Sequence, residues 1–572
     1  MKFYEAFKNR PILNLFIATF ILMFALNVFK TYSFYNHVAS KIYQDIFKNF
    51  YIVGLLNIFM FHIIFLVFRR FFKTAIYIYS ILIFLLCSTD FLLIKEFSAT
   101  INPIIIDAII NTNFNEADEF IQVFFDIKFF MTIFVFALIS ILVLCINTNK
   151  CRCSKNKSRS NKVYHVLLTL YILAIIAFSI DMTSKILKDK DYKEKLSKNT
   201  LIEFILANLD YVSSDNYISA LKNIDKHYES TTKKNSNITA KTKIKNIIMI
   251  IGESLQRDYM QIYGYKLADT PNMQKLLETN HLIKFSDTIS SGTYTNASLQ
   301  RMLNFSNYES TLPWYDSLNI IDMFKILGYK TSWISNQEGF NKTQNIANSV
   351  SKRADNVIYL KYGDKDSLEQ VDEKLLPYIS KVAKNSSEYN FYIIHLMGSH
   401  VRYDRRYPKE FIKFKQNDIN ITKLNEKQNA QIADYVNSVL YNDYIINEIY
   451  NIFKDYESLI VYASDHGETL YRHKDILEHG VLNRFTLEIP LIFIGSDKFI
   501  ANYPEIWKRL QKAKDDPFMT DDIIHTLSDI VGAKPLEFDE KRSLISDKFN
   551  IHRKRIVQDV DYDSIKRQIE YQ

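Results

Sequence analysis

The residues best suited to chemistry in this chain come directly after short apolar runs. Asp465 and His466 follow the run 458–461, which predicts a buried strand that ends where the polar residues begin. A carboxylate oxygen beside an imidazole nitrogen is a ligand combination that suits Zn²⁺. An Asp-His pair before a glycine is by itself more often a capped turn, so a metal site is predicted only if other ligands reach the same place.

Two further polar residues occupy the same kind of position. Glu253 follows the apolar run 247–251, and His400 lies in the turn after the run 390–396. In an open α/β sheet, ligands bind at the edge where the carboxyl ends of the strands meet. A single carboxylate at a strand end is commonly a cap, and it is the repetition at three strand ends that indicates a site.

The stretch 291–299 adds a hydroxyl group. Gly292 permits a tight turn and 296–305 can form a helix, so Thr295 falls at the N-terminus of that helix. Unpaired backbone N–H groups and the helix dipole favour a phosphate there. Taken alone, Thr295 is better explained as a plain N-cap.

Histidines also follow the Asp-His pair. His473 and His479 lie in the polar loop after His466, in a chain that contains only 12 histidines. His395, inside the third apolar run, has a plainer explanation as a core histidine. Several histidines beside predicted strand ends strengthen the interpretation of this edge as a metal or phosphate site.

The elements that must position these residues are strands alternating with helices. The predicted strands are 247–251, 330–334, 390–396, 458–463 and 490–494. The clearest helical pattern between them is 427–454. This alternation predicts a largely parallel sheet covered by helices on both faces. The charged tail after residue 536 is predicted to be a surface helix or partly disordered.

The first third of the chain is different in kind. At 572 residues the chain is too long for one core, and its apolar residues are concentrated at the N-terminal end. Five segments have the length and composition of membrane spans, which need about 20 residues. They are 12–29, 50–68, 74–94, 127–146 and 163–180. Any one of them could be a buried core helix, but five in succession predict a membrane domain.

Lysines and arginines set the predicted orientation. They precede the first span, separate the second from the third, and fill the loop 150–162, whereas the loop after the third span carries acidic residues. The positive-inside rule then puts the N-terminus in the cytoplasm and everything after the fifth span outside. We therefore predict a membrane domain at 1–180, an amphipathic linker at 181–242 and an external domain at 243–572.

Charge and cysteine content argue against a nucleic-acid partner and against disulfides in the external domain. The net charge of +8 is small for this length, and without a basic cluster on a soluble face it does not indicate a nucleic-acid partner. No cysteine follows Cys153, so the external domain has no disulfide.

These residues in this order resemble the membrane-anchored phosphoethanolamine transferases of bacterial envelopes, which are members of the alkaline phosphatase/sulfatase superfamily. The resemblance covers essentially the whole chain. The matching motifs are Ile251-Gly252-Glu253-Ser254, Tyr294-Thr295 with Leu299-Gln300, Gly398-Ser399-His400 with Arg406-Tyr407-Pro408, Leu440-Tyr441-Asn442-Asp443-Tyr444, and Ser464-Asp465-His466-Gly467-Glu468. It implies a five-helix transmembrane domain followed by a sulfatase/alkaline-phosphatase-like α/β domain, with a mostly parallel sheet between helices.

The resemblance also implies a metal site. The ligands that it implies for one tightly bound Zn²⁺ are Glu253, Thr295, Asp465 and His466. Thr295 would also be the nucleophile, which is chemically consistent because a threonine hydroxyl is a poor nucleophile until a metal ion activates it.

Five more residues acquire implied roles. His400 and His479 would hold the substrate phosphate or a second zinc, and His473 is a rival to His479 because both lie in one loop. Asn336, after the strand 331–334, resembles a residue that contacts the substrate phosphate. Thr293 would add a hydrogen bond.

The implied reaction moves phosphoethanolamine from phosphatidylethanolamine to a lipopolysaccharide acceptor through a phospho-threonine intermediate. The implied protein is a monomer in the inner membrane with its catalytic domain in the periplasm. Family members that act on lipid A usually carry disulfides in the external domain, often one beside the nucleophile, and in that region this chain has Gln300 and Arg301 and no cysteine. They also have Gly-Pro where Val401 and Arg402 stand. Both differences resemble the branch that modifies inner-core sugars, so lipid A and core sugars remain alternative acceptors.

The residues fit three other interpretations less well. A phosphoglycerol transferase of the lipoteichoic-acid-synthase type shares five spans and a threonine nucleophile, but lacks the stretch from Gly398 to Pro408. A sulfatase would need Cys or Ser in a Cys/Ser-x-Pro-x-Arg setting at position 295. A non-catalytic envelope scaffold would have no need of the complete ligand set.

Overall fold

A computed structural model describes most of the chain. The described residues are 10–34, 39–97, 100–101, 105–106, 109, 117, 121, 134, 200–213, 223–310, 312–339, 346–361, 371–419, 421–473 and 476–569. They divide into two compact units, with the helices up to Ser213 in the first and the α/β part from Asn223 onward in the second. The predicted spans 127–146 and 163–180 lie outside the described residues, apart from Phe134.

The first unit contains four described helices. They are α1 (Arg10–Phe34), α2 (Ala39–Val67), α3 (Phe72–Phe97) and α4 (Thr200–Ser213). Pro11–Lys30 and Phe72–Lys95 are long and apolar enough to cross a membrane, and Ile52–Val67 is a shorter apolar stretch. These three segments correspond to the first three predicted spans, and a total of five spans remains a prediction.

A buried ion cluster joins three helices of this unit. The Lys30 ammonium of α1 contacts the carboxylates of Asp90 in α3 and Glu203 in α4. Thr200 Oγ1 donates to Asp90 Oδ2 at 2.5 Å. Buried charges are stable only when they are paired in this way, so the cluster fixes α4 to α1 and α3.

The second unit is an α/β domain. Its strands are β1 (Asn246–Gly252), β2 (Leu282–Phe285), β3 (Thr288–Ile289), β4 (Lys330–Glu338), β5 (Asn356–Lys361), β6 (Asn390–His395), β7 (Ser458–Ser464), β8 (Leu491–Gly495), β9 (Phe518–Met519), β10 (Ile556–Val557) and β11 (Val560–Asp561). Its helices are α5 (Ile224–Lys234), α6 (Pro271–Glu278), α7 (Thr295–Met302), α8 (Ile320–Ile326), α9 (Ile346–Ser351), α10 (Leu376–Lys384), α11 (Gln416–Ile419), α12 (Glu426–Phe453), α13 (Arg484–Leu487), α14 (Asp497–Asn502), α15 (Pro504–Lys512), α16 (Ile523–Ile530) and α17 (Tyr562–Ile569).

The main sheet has seven strands in the order β2-β8-β7-β1-β6-β4-β5. All neighbouring pairs are parallel except the two made by β8, which runs antiparallel to β7 and β2. All five predicted strands are present, and the sheet is mixed rather than uniformly parallel. In register, Ile251 of β1 lies opposite Ala463 of β7 and His395 of β6. The carboxyl ends of these three central strands therefore meet at one edge.

Both faces of the sheet are covered. The apolar residues of β1 alternate between two hydrophobic clusters, with Ile247, Met249 and Ile251 in one and Ile248 and Ile250 in the other. The long helix α12 packs on the second face, and α8 and α16 pack on the first. A strand buried on both sides explains why its sequence is a continuous apolar run.

The C-terminal tail is described through residue 569, and it packs on the rest of the unit. Its arginines bind acidic residues from elsewhere in the unit: Arg542 and Arg553 contact Asp522, and Arg553 also contacts Asp521. Beyond them the tail forms the antiparallel pair β10–β11. Its charged composition thus reflects buried ion pairs rather than a solvated surface alone.

Candidate active site

Three predicted ligands meet at the carboxyl edge of the central strands. Glu253 follows β1, and Asp465 and His466 follow β7. His466 Nε2 lies 3.1 Å from Glu253 Oε1 and 3.4 Å from Asp465 Oδ2. All three side chains are buried. One nitrogen and two carboxylate groups thus form a compact cluster of possible metal ligands.

Thr295 completes the set. It is the first residue of α7 and follows the extended backbone of Tyr294. It therefore lies beside the first N–H groups of the helix, which have no partner within the helix. Thr295 Oγ1 lies 3.3 Å from Glu253 Oε2 and 3.5 Å from His466 Nε2. The four residues predicted as ligands therefore surround one point, at the N-terminus of a helix.

The donor set fits a zinc ion. Asp465 Oδ1 accepts hydrogen bonds from the backbone N–H groups of Ser254 (3.2 Å) and His466 (2.7 Å). Asp465 Oδ2 is buried and has no hydrogen-bond partner among the described residues. His466 Nδ1 lies 3.1 Å from the carbonyl of Gly467, which can only accept, so in the neutral form of the ring that binds a metal the lone pair is on Nε2. A cation between Asp465 Oδ2 and His466 Nε2 would give each of these two atoms a partner.

The charges of the cluster also call for a cation. Burial raises the pKa of Asp465 to about 8, and the nearby charge of Glu253 adds to this. Burial would lower the pKa of His466, but the charges of Asp465 and Glu253 raise it to about 10. Burial opposes ionisation of Glu253, yet the hydrogen bond and charge of His466 hold its pKa below the ordinary value. Without a metal, the cluster retains protons that a metal would displace.

His479 lies directly beside the ligands. Its ring centroid is 4.0 Å from that of His466, and its Nδ1 lies 3.0 Å from Glu468 Oε1. Burial and the neighbouring His466 lower the pKa of His479 to about 3. Burial raises the pKa of Glu468 well above its ordinary value. His479 is therefore a neutral imidazole whose orientation Glu468 fixes.

His400 reaches the same place by a constrained turn. Gly398 has φ +54°, and a Cβ there would stand 2.8 Å from both backbone N and O of Glu253, so only glycine fits. Ser399 N donates to Glu253 O at 2.9 Å. The ring of His400 then lies 6.4 Å from that of His479. The two histidines predicted to handle phosphate are neighbours.

The other predicted residues of the His479 loop have distinct places. Thr293 Oγ1 donates to the carbonyl of Gly480 at 3.1 Å, and Gly480 N donates to Thr293 O at 2.9 Å. Thr293 thus joins the nucleophile loop to the loop that carries His479. The carbonyl of His473 accepts from Ile476 N at 3.1 Å in a turn, and the ring contact with His466 belongs to His479.

Asn336 and its neighbour face different groups. Asn336 is buried, and its Nδ2 donates to Asp372 Oδ1 at 2.8 Å. Gln337 Nε2 instead contacts Glu253 Oε2 at 3.3 Å and Leu396 O at 2.9 Å. The contact with the ligand cluster at the end of β4 is made by Gln337, which sequence reasoning missed.

The motif 440–444 supports the site from helix α12. Asn442 Nδ2 donates to Ser399 Oγ at 3.3 Å, next to His400. The Asp443 carboxylate accepts from Met273 N at 2.8 Å and from both nitrogens of Asn272, so it satisfies two backbone N–H groups in the first turn of helix α6. These residues position elements of the site and do not contact the ligand cluster.

Known proteins resemble this chain over most of its length. Phosphoethanolamine transferase EptC of Escherichia coli (strain K12) is 25% identical over 503 residues, 82% of each chain. Phosphoethanolamine transferase EptA of Helicobacter pylori is 26% identical over 431 residues, 73% of this chain and 76% of that one.

Solved structures match as well. The C-terminal periplasmic domain of E. coli EptC in complex with Zn has a TM-score of 0.54 and 28% identity, over 57% of this chain and 96% of that one. The integral membrane protein lipooligosaccharide phosphoethanolamine transferase A of Neisseria meningitidis has a TM-score of 0.66 at 17% identity, over 94% of this chain and 98% of that one. The second match establishes a similar fold and no more.

The family model described as Sulfatase matches residues 245–533, which is just over half of the chain. The matched region begins at β1 and includes all four residues that surround the candidate metal position. With this match, the α/β fold and the strand-end ligands, the chain belongs to the sulfatase family.

Proposed function

We propose that this chain is a zinc-dependent phosphoethanolamine transferase that uses Thr295 as its nucleophile. The observation that carries the proposal is the position of Thr295 Oγ1, within 3.5 Å of both Glu253 and His466 at the N-terminus of α7. The names of the relatives support the transferred group, and the Zn complex of the E. coli EptC domain supports the metal.

The ligands proposed for the tightly bound zinc are Glu253, Thr295, Asp465 and His466. Zn²⁺ held there would act as a Lewis acid that lowers the pKa of a coordinated hydroxyl and stabilises negative charge. Glu253 and His466 flank the Thr295 hydroxyl and hold it in place. The N-terminus of α7 presents backbone N–H groups to the phosphate oxygens of the donor.

In the proposed first step, Thr295 Oγ1 loses its proton and forms a bond to the donor phosphorus. The bond between phosphorus and the diacylglycerol oxygen breaks, and that oxygen takes up a proton. In the second step an acceptor hydroxyl loses its proton and attacks the same phosphorus, which releases Thr295. Two steps at one site give ping-pong kinetics.

His400 and His479 are the proposed proton carriers or phosphate ligands. Burial and His466 lower the pKa of His479 to about 3, so this imidazole is neutral and offers a lone pair to a metal ion, but at this pKa it is a weak proton acceptor near neutral pH. Glu468 keeps its ring in one orientation. A second zinc between His400 and His479 is the alternative role that we propose for this pair.

The proposed donor is phosphatidylethanolamine, and the proposed acceptor is lipid A or an inner-core sugar of lipopolysaccharide. A relative from Salmonella typhimurium is named Kdo(2)-lipid A phosphoethanolamine 7''-transferase, and it is 27% identical over 45% of this chain. The absence of cysteine beside Thr295 favours the core sugar. Comparing core oligosaccharide and lipid A by mass spectrometry, from cells with and without the gene, decides between the two acceptors.

The proposed location is the inner membrane, with five spans at 1–180, a linker at 181–242 and a periplasmic catalytic domain at 243–572. The protein is proposed to act as a monomer. Apolar helices α1 and α3 and the whole-length fold match to an integral membrane protein support this arrangement.

The proposal is tested by incubating the full chain in lipid vesicles with fluorescent phosphatidylethanolamine and no acceptor. Labelled diacylglycerol should appear, and the peptide containing Thr295 should gain the mass of phosphoethanolamine. Thr295→Ala should abolish both signals, whereas Thr295→Ser, which keeps a hydroxyl, should retain part of each. Donor turnover by Thr295→Ala at the wild-type rate would refute the nucleophile. Equal turnover of phosphatidylglycerol would instead favour a phosphoglycerol transferase.

A further inference from the structure

The structure assigns a role to the C-terminal hairpin: Gln558, at its tip, is a positioning residue of the active site. It acts through Thr293 on the loop that carries His479. This inference rests on the proposed function, since it concerns the same reaction. The inference deepens the proposed function, because it adds to the catalytic unit residues beyond the matched family region, which ends at residue 533.

The hairpin is short and tightly turned. Val557 of β10 pairs with Val560 of β11 in antiparallel register, so only Gln558 and Asp559 form the loop. Both have positive φ, +51° and +63°. A two-residue loop with both residues in the left-handed region is normally built from Asn and Gly. A glutamine there is conformationally unfavourable, which indicates that its side chain serves a purpose.

The Gln558 side chain makes a hydrogen bond to the nucleophile loop. Gln558 Nε2 donates to Thr293 Oγ1 at 3.2 Å. The same Thr293 hydroxyl donates to the Gly480 carbonyl at 3.1 Å. The Gln558 amide can only donate to Thr293 Oγ1, so the Thr293 hydroxyl proton is left to bond the Gly480 carbonyl. The bond therefore sets the direction of a chain that ends beside His479, and Thr293 itself lies two residues before Thr295.

The base of the hairpin is held firmly. Arg555 donates to Asp287 Oδ1 at 2.8 Å and to Asp563 Oδ1 at 2.6 Å. The hydroxyl of Tyr562, which is fully buried, donates to Glu488 Oε1 at 2.6 Å. Asp287 leads into β3 and so into the nucleophile loop. The tip is therefore carried by a rigid support that is anchored to the segments it positions.

The experiment compares Gln558→Ala with Asp559→Ala in the full chain. Both variants place alanine at a positive φ in the same turn. Because Asp tolerates this conformation better than Gln, the control variant has at least as large a backbone cost, but only Gln558→Ala loses the bond to Thr293. We expect Gln558→Ala to lower kcat for donor cleavage by roughly 5- to 10-fold, the worth of one hydrogen bond. Asp559→Ala should change it by less than about 2-fold, with the same zinc content as Gln558→Ala and a melting temperature no higher.

A second pair tests the route through Thr293. Thr293→Val removes the hydroxyl at constant shape, and Thr293→Ser keeps it. In a double-mutant cycle, the Gln558→Ala and Thr293→Val effects should be non-additive, because both break one chain of bonds. Thr293→Ser should keep most of the activity. Multiplicative losses in the cycle would overturn the inference, and so would an Asp559→Ala loss as large as that of Gln558→Ala.

Amide hydrogen exchange provides a readout that does not depend on activity. Gly480 N donates to Thr293 O, so Gln558→Ala should speed exchange in the peptide containing Gly480, and Asp559→Ala should not. If the wild-type chain fails to cleave donor, the proposed function fails, and the exchange comparison still decides the positioning role. If wild type is active and neither kcat nor exchange separates the two variants, only the inference fails.

Discussion

Two of the buried clusters of charged side chains in the described part of the α/β unit differ in how their charges are balanced. In the C-terminal cluster, Arg553 contacts Asp521 at 2.5 Å and Asp522 at 2.6 Å, and Arg542 contacts Asp522 at 2.6 Å. Glu309 contacts both arginines. Burial opposes ionisation of Asp521, but Arg553 holds its pKa below the ordinary value. Each carboxylate there has a guanidinium partner.

The cluster of Glu253, Asp465 and His466 at the strand ends has fewer partners, and we call it the open cluster and the C-terminal one the closed cluster. Its two carboxylates, Glu253 and Asp465, share the single imidazole of His466, and Asp465 Oδ2 has no hydrogen-bond partner among the described residues. The closed cluster balances its carboxylates with guanidinium groups of the protein, whereas the open cluster balances them with retained protons, which a bound cation would displace. The comparison separates a structural role from a binding role among equally buried charges.

The largest expected effect concerns the open cluster. Asp465→Ala should remove tightly bound zinc and lower donor turnover by at least about 1000-fold, because a ligand is lost and the nucleophile is no longer activated. The melting temperature of the metal-free protein should fall only modestly, because Asp465 is protonated there and the loss is limited to the hydrogen bonds that its Oδ1 accepts from the Ser254 and His466 N–H groups. Metal analysis, turnover and thermal unfolding check these expectations. A large loss of metal-free stability would mean that this cluster, too, is structural.

The reverse pattern is expected for the closed cluster. Arg553→Ala leaves Asp521 and Asp522 with less compensation, so it should lower the free energy of unfolding by about 3–5 kcal/mol. Zinc content should stay at the wild-type level in protein that remains folded. Arg509→Ala is the matched control, because its partner Asp547 is exposed and such a pair contributes about 0–1 kcal/mol. Equal losses for the two variants, measured by denaturant unfolding, would contradict the comparison.

The open cluster should also couple metal to protons. In metal-free protein the pKa of Asp465 is raised to about 8 and that of His466 to about 10, so near neutral pH zinc must displace about one to two protons. Zinc affinity should therefore rise with pH from 6 to 8, by about tenfold per pH unit for each proton released. Calorimetric titration in buffers with different ionisation enthalpies counts the protons. Affinity independent of pH would show that the cluster is already deprotonated.

The smallest expected effect concerns the support from α12. Asp443→Ala removes the acceptor of two backbone N–H groups in the first turn of α6 and should cost about 1–2 kcal/mol of stability, with zinc content and kcat unchanged. Asn442→Ala, one residue away, loses the bond to Ser399 beside His400. It should instead lower kcat a few-fold with a smaller loss of stability. If the two variants behave alike in unfolding and turnover experiments, the motif has one role and not two.

The sequence was informative where each functional residue follows a strand. Glu253, Asp465 and His466 come together because their apolar runs become adjacent parallel strands, as the alternating pattern predicts. The antiparallel direction of β8 was not predictable, because its apolar run looks the same in either direction. The predicted fourth and fifth membrane spans remain predictions.

Side-chain direction at loop and strand ends was harder to predict. Adjacent residues of a strand point to opposite faces, so a shift of one position decides whether Asn336 or Gln337 meets Glu253. Composition could not show that the charged tail packs on the rest of the unit, because Arg553 finds Asp521 and Asp522 about 30 residues away and Glu309 more than 200 residues away. The sequence around Arg553 identifies none of these three partners.

The central place of β1 in the sheet has a consequence for the order of events in biosynthesis. Ser254 and Asp465, which share a hydrogen bond at the metal position, are separated by 211 residues. A nascent chain therefore has no complete ligand set until β7 has been made and has paired with β1. The proposed zinc can therefore bind at this position only after β7 has paired with β1, and a chain that stops before residue 458 lacks Asp465 and His466 however much of the sheet it forms.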